Sequence, residues 1–311
     1  MALGEISSAL SILEKLWNWF RSWRTKTVPP PESVATRFVR LFESHGVHRN
    51  QIPRFFGCGL TPKDVQDDAS LLLKLDEPML EAACARFAVR REWLDGAESQ
   101  VHPCHDFYKH PEAFLRFVDD LRLTNSEEKI EGVLIAPINP NFRTDALLIL
   151  QETIGHVGEK AIYRFHLCNN WLYKYWKARA YLTACVAIAW KRGIYIYGTK
   201  RSYDEIVRFA YGKTLLGWNG EGIWALGHRT WYAEDMALRP DEFLSDIDPE
   251  KDNFGIKSGL KLWLKLEEQG LMDTGIEGKA RRLFEEELTK LQSQSGKKAL
   301  FGNWFNLKNK R

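Results

Sequence analysis

Two short stretches of the chain carry residue types that ligate metals, His102-Pro103-Cys104-His105 and His166-Leu167-Cys168. Zinc takes His and Cys in tetrahedral sets. The spacing here fits no standard site, and nothing in the sequence brings the two stretches together, so linker and core roles are expected and no metal is assigned. His228, with Glu234 and Asp235 close behind it, has the composition of a general base with carboxylate partners. The same His among aromatics also reads as a hydrogen-bonded packing residue. Gly217-Trp218-Asn219-Gly220-Glu221-Gly222-Ile223-Trp224 is glycine-rich but lacks the Lys and Ser/Thr of a phosphate loop. Trp171, Tyr173, Trp176, Trp190, Trp218, Trp224 and Trp231 either line a pocket for a flat ligand or fill a core. A P-loop, a GxGxxG after a strand, GxSxG and HExxH are all missing from the sequence. No catalytic residue and no cofactor are assigned, and an enzyme is the less favoured class.

The elements that would position functional side chains are clearest between residues 33 and 98. Val34, Phe38, Leu41 and Phe42 recur at helical spacing, with Ser33 as the cap and Gly46 past the end. Val47 to Gly57 holds Ile52, Phe55 and Phe56 in apolar positions. Pro53 is tolerated there if Asn50 caps a short helix, because proline fits a first turn. Leu60-Thr61-Pro62-Lys63-Asp64-Val65-Gln66 reads as the start of a third helix, capped by Thr61 with Pro62 in its first position. Leu80, Ala83, Cys84 and Phe87 give a fourth helix its apolar face, and Trp93 and Leu94 would plug the bottom of the bundle.

Taken whole, Ser33 to Gly96, ending in Arg90-Arg91-Glu92-Trp93-Leu94-Asp95-Gly96, resembles the helix-turn-helix domain of the Cro/C1 (XRE) family. The resemblance covers about a fifth of the chain and implies a five-helix unit that binds DNA. By that analogy Lys63 and Gln66 face base edges, and Arg49, Arg54 and Thr61 lie near phosphates. Asp64, Asp67 and Asp68 sit on the same segment, and residues 33–98 carry nine Lys/Arg against ten Asp/Glu. DNA affinity rests largely on neutralised phosphates. A bundle that binds protein instead is therefore the alternative.

Around this unit, Leu3, Ile6, Leu10, Leu13, Trp17 and Phe20 follow the alternating three-and-four spacing of a coiled-coil seam. This predicts an amphipathic oligomerisation helix over residues 1–28, set off by the proline linker 29–32. Glu5 and Glu14 oppose Lys15, Arg21, Arg24 and Lys26, so self-association is preferred and a membrane surface is the weaker alternative. Residues 106–245 read as a mixed α/β domain that senses a small ligand or binds a protein partner. Helices are expected at Pro111–Leu123, Asp145–Ile154 and Tyr203–Ala210, and strands at Ile130–Ile138, Ala161–Cys168, Tyr181–Ala189 and Ile194–Tyr197. Residues 250–311 form a helical basic tail. The expected fold class is α+β.

At 311 residues the chain has room for two domains, and its net charge of +3 points to no partner. Five cysteines without a CxxC pair fit a reducing cytoplasm. No apolar run reaches the length of about 20 residues that spans a bilayer. The leading expectation is an oligomeric, DNA-binding, transcription-regulator-like protein. The rival is an interaction or scaffold protein.

Overall fold

The unbroken apolar runs of the middle of the chain become the strands of a six-stranded mixed sheet. The structure is a computed structural model and describes residues 32–124, 129–141, 143–251, 255–276 and 278–293. The stripe from Leu3 to Phe20 and the basic residues of the tail beyond 293 lie outside the described residues.

The strands are β1 (Cys104–Asp106), β2 (Ile130–Pro137), β3 (Asp145–Val157), β4 (Lys160–Leu172), β5 (Tyr195–Arg201) and β6 (Trp231–Tyr232), in the order β1-β4-β3-β2-β5-β6. β2, β3 and β4 form an antiparallel meander, and β5 joins β2 in parallel. Leu134, Leu148, Leu150 and Cys168 face one side of the sheet, while Val133, Ile135, Leu147, Ile149, Phe165 and Leu167 face the other. Both faces are covered, as a sheet with a parallel crossover requires.

Counting from the N-terminal helices described below, helices α6 (Pro111–Thr124) and α7 (Trp176–Lys191) cover the first face, and α8 (Tyr203–Ala210) covers the second. The fold is α+β, as expected. After the short helices α9 (Asp235–Leu238) and α10 (Pro240–Leu244), α11 (Ile256–Glu268) packs on α7, and α12 (280–293) joins it. There Trp263 and Phe284 stack with ring centroids 3.6 Å apart. These helices of the tail therefore complete the core of the α/β unit.

Two expected elements change type. Asp145–Ile154, expected as a helix, is strand β3, and Tyr181–Ala189, expected as a strand, lies within helix α7. Ala146 to Leu150 are buried on both faces of the sheet, and Leu182 to Ala189 are buried all round the helix. Burial on every side erases the period that distinguishes the two structures.

The N-terminal bundle has five short helices: α1 (Val34–Ser44), α2 (Ile52–Phe56, entered by a 3-10 turn at Arg49–Gln51), α3 (Asp68–Lys74), α4 (Glu77–Phe87) and α5 (Arg91–Leu94). Pro53 falls in the first turn of α2, and Trp93 is buried. The segment Leu60–Gln66, expected as the start of the third helix, is instead a run of turns. Asp64 takes both the Thr61 N–H (2.8 Å) and the Thr61 hydroxyl (2.6 Å). This local loop competes with the helix, and Asp67, extended and accepting from the Ser70 N–H, caps α3 further on.

The bundle is not a separate bead. Its core continues into Ile162 of β4 and Leu215. Gly217, at φ 140°, comes so close to the end of α1 that a Cβ there would lie 2.2 Å from the Ser44 carbonyl oxygen, so only glycine fits the contact.

His45 lies at this seam, its ring 4.4 Å from that of Phe87 in the bundle and 5.8 Å from that of Phe165 in the sheet. His102 accepts the Leu216 N–H nearby at 3.1 Å. Burial holds His45 down to about 4 and His102 down to about 3. Both pKa values are depressed on folding, so the unfolded chain protonates first as pH falls. The stability these groups contribute is complete above their unfolded pKa of about 6.5 and is lost as pH drops from there towards 4. We predict a falling urea midpoint between pH 7 and 5, on the order of 1–2 kcal/mol per histidine. His45→Phe should flatten the profile. A midpoint constant over this range would contradict the assignment.

Candidate functional site

Two surfaces bear on function: the outer face of the bundle and the cleft where the bundle meets the sheet. On the bundle, the resemblance singled out Arg49, Arg54, Thr61, Lys63 and Gln66. Arg54, Lys63 and Gln66 are exposed. Arg49 is turned inward: its Nε donates to the Val65 carbonyl at 2.7 Å and its Nη2 pairs with Asp68. The Thr61 hydroxyl is engaged by Asp64. Thr36 also donates to Asp68 at 2.5 Å, and the Thr36 and Arg49 hydrogen bonds hold this carboxyl below the usual carboxylate range. The five residues thus do not form one cationic reading surface. Two serve the fold of the loop, and the other three lie on α2 and on the turns before α3.

The solvent side of α3 is apolar. Leu72 and Leu73 are 53% and 91% exposed, flanked by exposed Asp67, Lys74, Asp76 and Glu77. Only Leu71 of this helix turns into the core.

The cleft lies between α4 and the β3–β4 hairpin. It encloses about 530 Å³ and is lined by Ala82, Ala85, Arg86, Thr124, Glu152 and Arg164 among others. Glu152 and Arg164 face each other across the two strands. The Glu152 side chain has no exposed surface, and that of Arg164 retains 18%. Arg164 donates from Nε to Oε2 at 2.5 Å and from Nη2 to Oε1 at 2.7 Å, while His166 Nε2 lies 3.0 Å from Oε2.

Two further bonds cross to or from α4: Arg164 donates to the Ala85 carbonyl and Arg86 to the Ile154 carbonyl, both at 3.3 Å. Both oxygens of Glu152 are therefore held by cationic or ring nitrogen groups, an arrangement that anchors structure and leaves no free carboxylate for proton abstraction.

Sequence reasoning missed this cluster. Its signal was present: Glu152 interrupts an apolar run, and Arg164 and His166 alternate on a strand face, so a buried carboxylate would need such partners.

The metal-type residues are brought side by side after all. β1 pairs with β4, with His105 opposite Cys168. Strand alternation leaves His105, His166 and Cys168 on one face, with the His105 and His166 ring centroids 6.1 Å apart, and turns Cys104 to the other. Cys104 packs beneath α8 on one face, and the His105 ring meets Phe117 of α6 on the other, at 4.6 Å. Among the described residues, no three His, Cys, Asp or Glu side chains are placed to hold a metal ion.

His228 is exposed and Glu234 buried. Burial raises the Glu234 pKa, and the charges acting on it are Asp235 and Arg229. The aromatic set does not close into one pocket. Trp171 is sealed in the core beneath α7, Trp218 meets Phe165 on the opposite face, and Trp224 lies on the surface. Among the described residues no helix is long and apolar enough to cross a membrane.

No family model, no curated protein and no solved structure matches the chain.

Removing one partner of a buried ion pair strands the other. Glu152→Ala should cost about 3–5 kcal/mol in urea unfolding. The double replacement Glu152→Leu with Arg164→Leu should cost less than Glu152→Ala alone, because no charge is left without its partner. A single substitution within about 0.5 kcal/mol of the wild type would show that the cluster does not hold the cleft.

Proposed function

We propose that this chain is an interaction protein whose helix-turn-helix-like bundle binds protein rather than DNA. The resemblance of Ser33 to Gly96 to a helix-turn-helix domain is kept for the bundle as a whole, although the second and third helices are separated by residues 57–67. The observation that carries the protein-binding reading is the solvent face of α3, where Leu72 and Leu73 stand in the open beside Asp67 and Glu77.

A DNA reader needs polar side chains for base edges and cations for phosphates. Here the third helix offers leucines, and Arg49 is consumed by Asp68. From residue 60 to 81 two lysines stand against six carboxylates. Such a face repels a phosphate backbone and suits a surface that is apolar and basic. The chain's own sequence supplies side chains of that kind, the stripe from Leu3 to Phe20 with Lys15, Arg21, Arg24 and Lys26. Self-association is therefore the assay of first choice.

Sedimentation of the full chain should show an oligomer, and Leu72→Asp with Leu73→Asp should lower its mass. Fluorescence anisotropy with duplex DNA in low salt should give the same affinity for wild type, Lys63→Ala and Gln66→Ala. An unchanged mass in the leucine variant, together with duplex binding that falls on Lys63→Ala, would replace this reading with the DNA-binding one.

A further inference from the structure

The solvent face of α3 sets two leucines between acidic flanks, and its charge balance narrows what can cover it. Leu72 and Leu73 stand in the last turn of the helix. Exposed Asp67 precedes that helix, and exposed Asp76 and Glu77 follow it.

Around the leucines, carboxylates outnumber the cations that could neutralise them. Asp67 and Asp76 each accept a backbone N–H, from Ser70 at 2.7 Å and from Met79 at 2.9 Å. Among the described residues neither has an ion-pair partner. The Ser70 bonds hold the Asp67 carboxyl below the usual carboxylate range, so it stays charged. Glu77 shares the one guanidinium of Arg91 with Glu81 and Asp95. Asp68 is matched by Arg49. From Asp67 to Glu77, Lys74 is the one basic residue. The face is therefore apolar in its middle and negative at both ends.

Its complement is an apolar centre with cations to each side and no acid of its own. Residues 297–311, in the sequence beyond the described residues, are such a stretch. Leu300, Phe301, Trp304, Phe305 and Leu307 are preceded by Lys297 and Lys298 and followed by Lys308, Lys310 and Arg311. No Asp or Glu falls among them. The stripe from Leu3 to Phe20 matches less well. Glu5 and Glu14 stand within it, and Arg21, Arg24 and Lys26 all follow on one side. A carboxylate brought against Asp67 or Asp76 opposes docking.

Resting on the protein-binding reading of this face and on the self-association expected there, we infer that α3 is the seat of residues 297–311 from a second copy of the chain. Phe301, Trp304 and Phe305 cover Leu72 and Leu73. The cations at the two ends of the stretch meet Asp67 on one side and Asp76 and Glu77 on the other. Burial of the rings supplies affinity, and the charges select the partner. Seat and occupant are different surfaces, so each copy both gives a tail and receives one.

The test is sedimentation of the full chain beside two variants, one lacking residues 297–311 and one carrying Leu72→Asp with Leu73→Asp at their exposed positions. Both variants should have a lower mass than the wild type. A labelled peptide of residues 294–311 should bind the shortened chain. The two leucine substitutions, made in that chain, should weaken the peptide by about 10- to 100-fold, as loss of a buried anchor does. Trp304→Ala in the peptide should act in the same range. If the leucine variant loses mass and the shortened chain does not, the tail is not the occupant, and α3 remains a protein-binding face. If neither loses mass, the reading of α3 fails as well. A peptide that does not bind, or that binds the leucine variant as tightly as its parent, also overturns the inference.

Discussion

A buried carboxylate ties the bundle to the sheet, beside the shared core at Ile162 and the close contact at Gly217. Glu152 sits inside β3 with no exposed surface, clasped by Arg164 and His166 from β4. A charge at that depth is costly unless its hydrogen-bonding capacity is filled by partners of opposite or polar character. Filling it fixes Arg164, and Arg164 reaches on to the Ala85 carbonyl of α4. Arg86, the next residue, returns a bond to Ile154. The same cross-strand pair that sets the hairpin thereby sets the bundle on the hairpin, and the seam closes over His45 and Ile162 with water excluded.

That fixed union decides which surfaces are left to act. α4 and the end of α1 are committed to the sheet and to the loop at Gly217. The solvent side of α3 remains on the bundle, and its composition, two exposed leucines among carboxylates, carries the functional reading. At the other side of the sheet, the short β6 leaves its edge open, with Trp224 flat on Tyr197 and Arg229 over the Tyr232 ring. Both surfaces are set by closely packed neighbours. Leu71 pins α3 to the core, and Gly198 lets the Trp231 indole seat β6.

Much of this was legible where a local signal agreed with the tertiary outcome. Tyr203–Ala210 appears as a helix with its expected ends, because Ser202 and Glu205 form a reciprocal capping box ahead of an amphipathic stretch. Ile130–Pro137 was legible as a buried strand from its apolar run. The failures share a cause. β3 is buried on both faces and α7 on all sides, so neither keeps a period. At Thr61 two capping signals competed, and Asp67 prevailed because Asp64 had already closed a loop on Thr61. The Glu152 cluster showed in the sequence as a charge inside an apolar run and as Arg164 and His166 alternating on the next strand, with nothing to pair the two. The Trp224–Tyr197–Tyr232 layer joins residues from a 3-10 helix and two strands, a juxtaposition no spacing rule contains.

The central claim is that the bundle and the sheet form one cooperative unit held through Glu152. Native-state hydrogen exchange tests it most directly by comparing the amides of Phe38 to Phe42 in α1 with those of Leu147 to Leu150 in β3. The account predicts that in the wild type both groups exchange through a single opening of equal free energy. In Glu152→Ala, the α1 amides should exchange through an additional, lower opening. Bundle amides that already exchange independently in the wild type, or that are unmoved by the substitution, would contradict it.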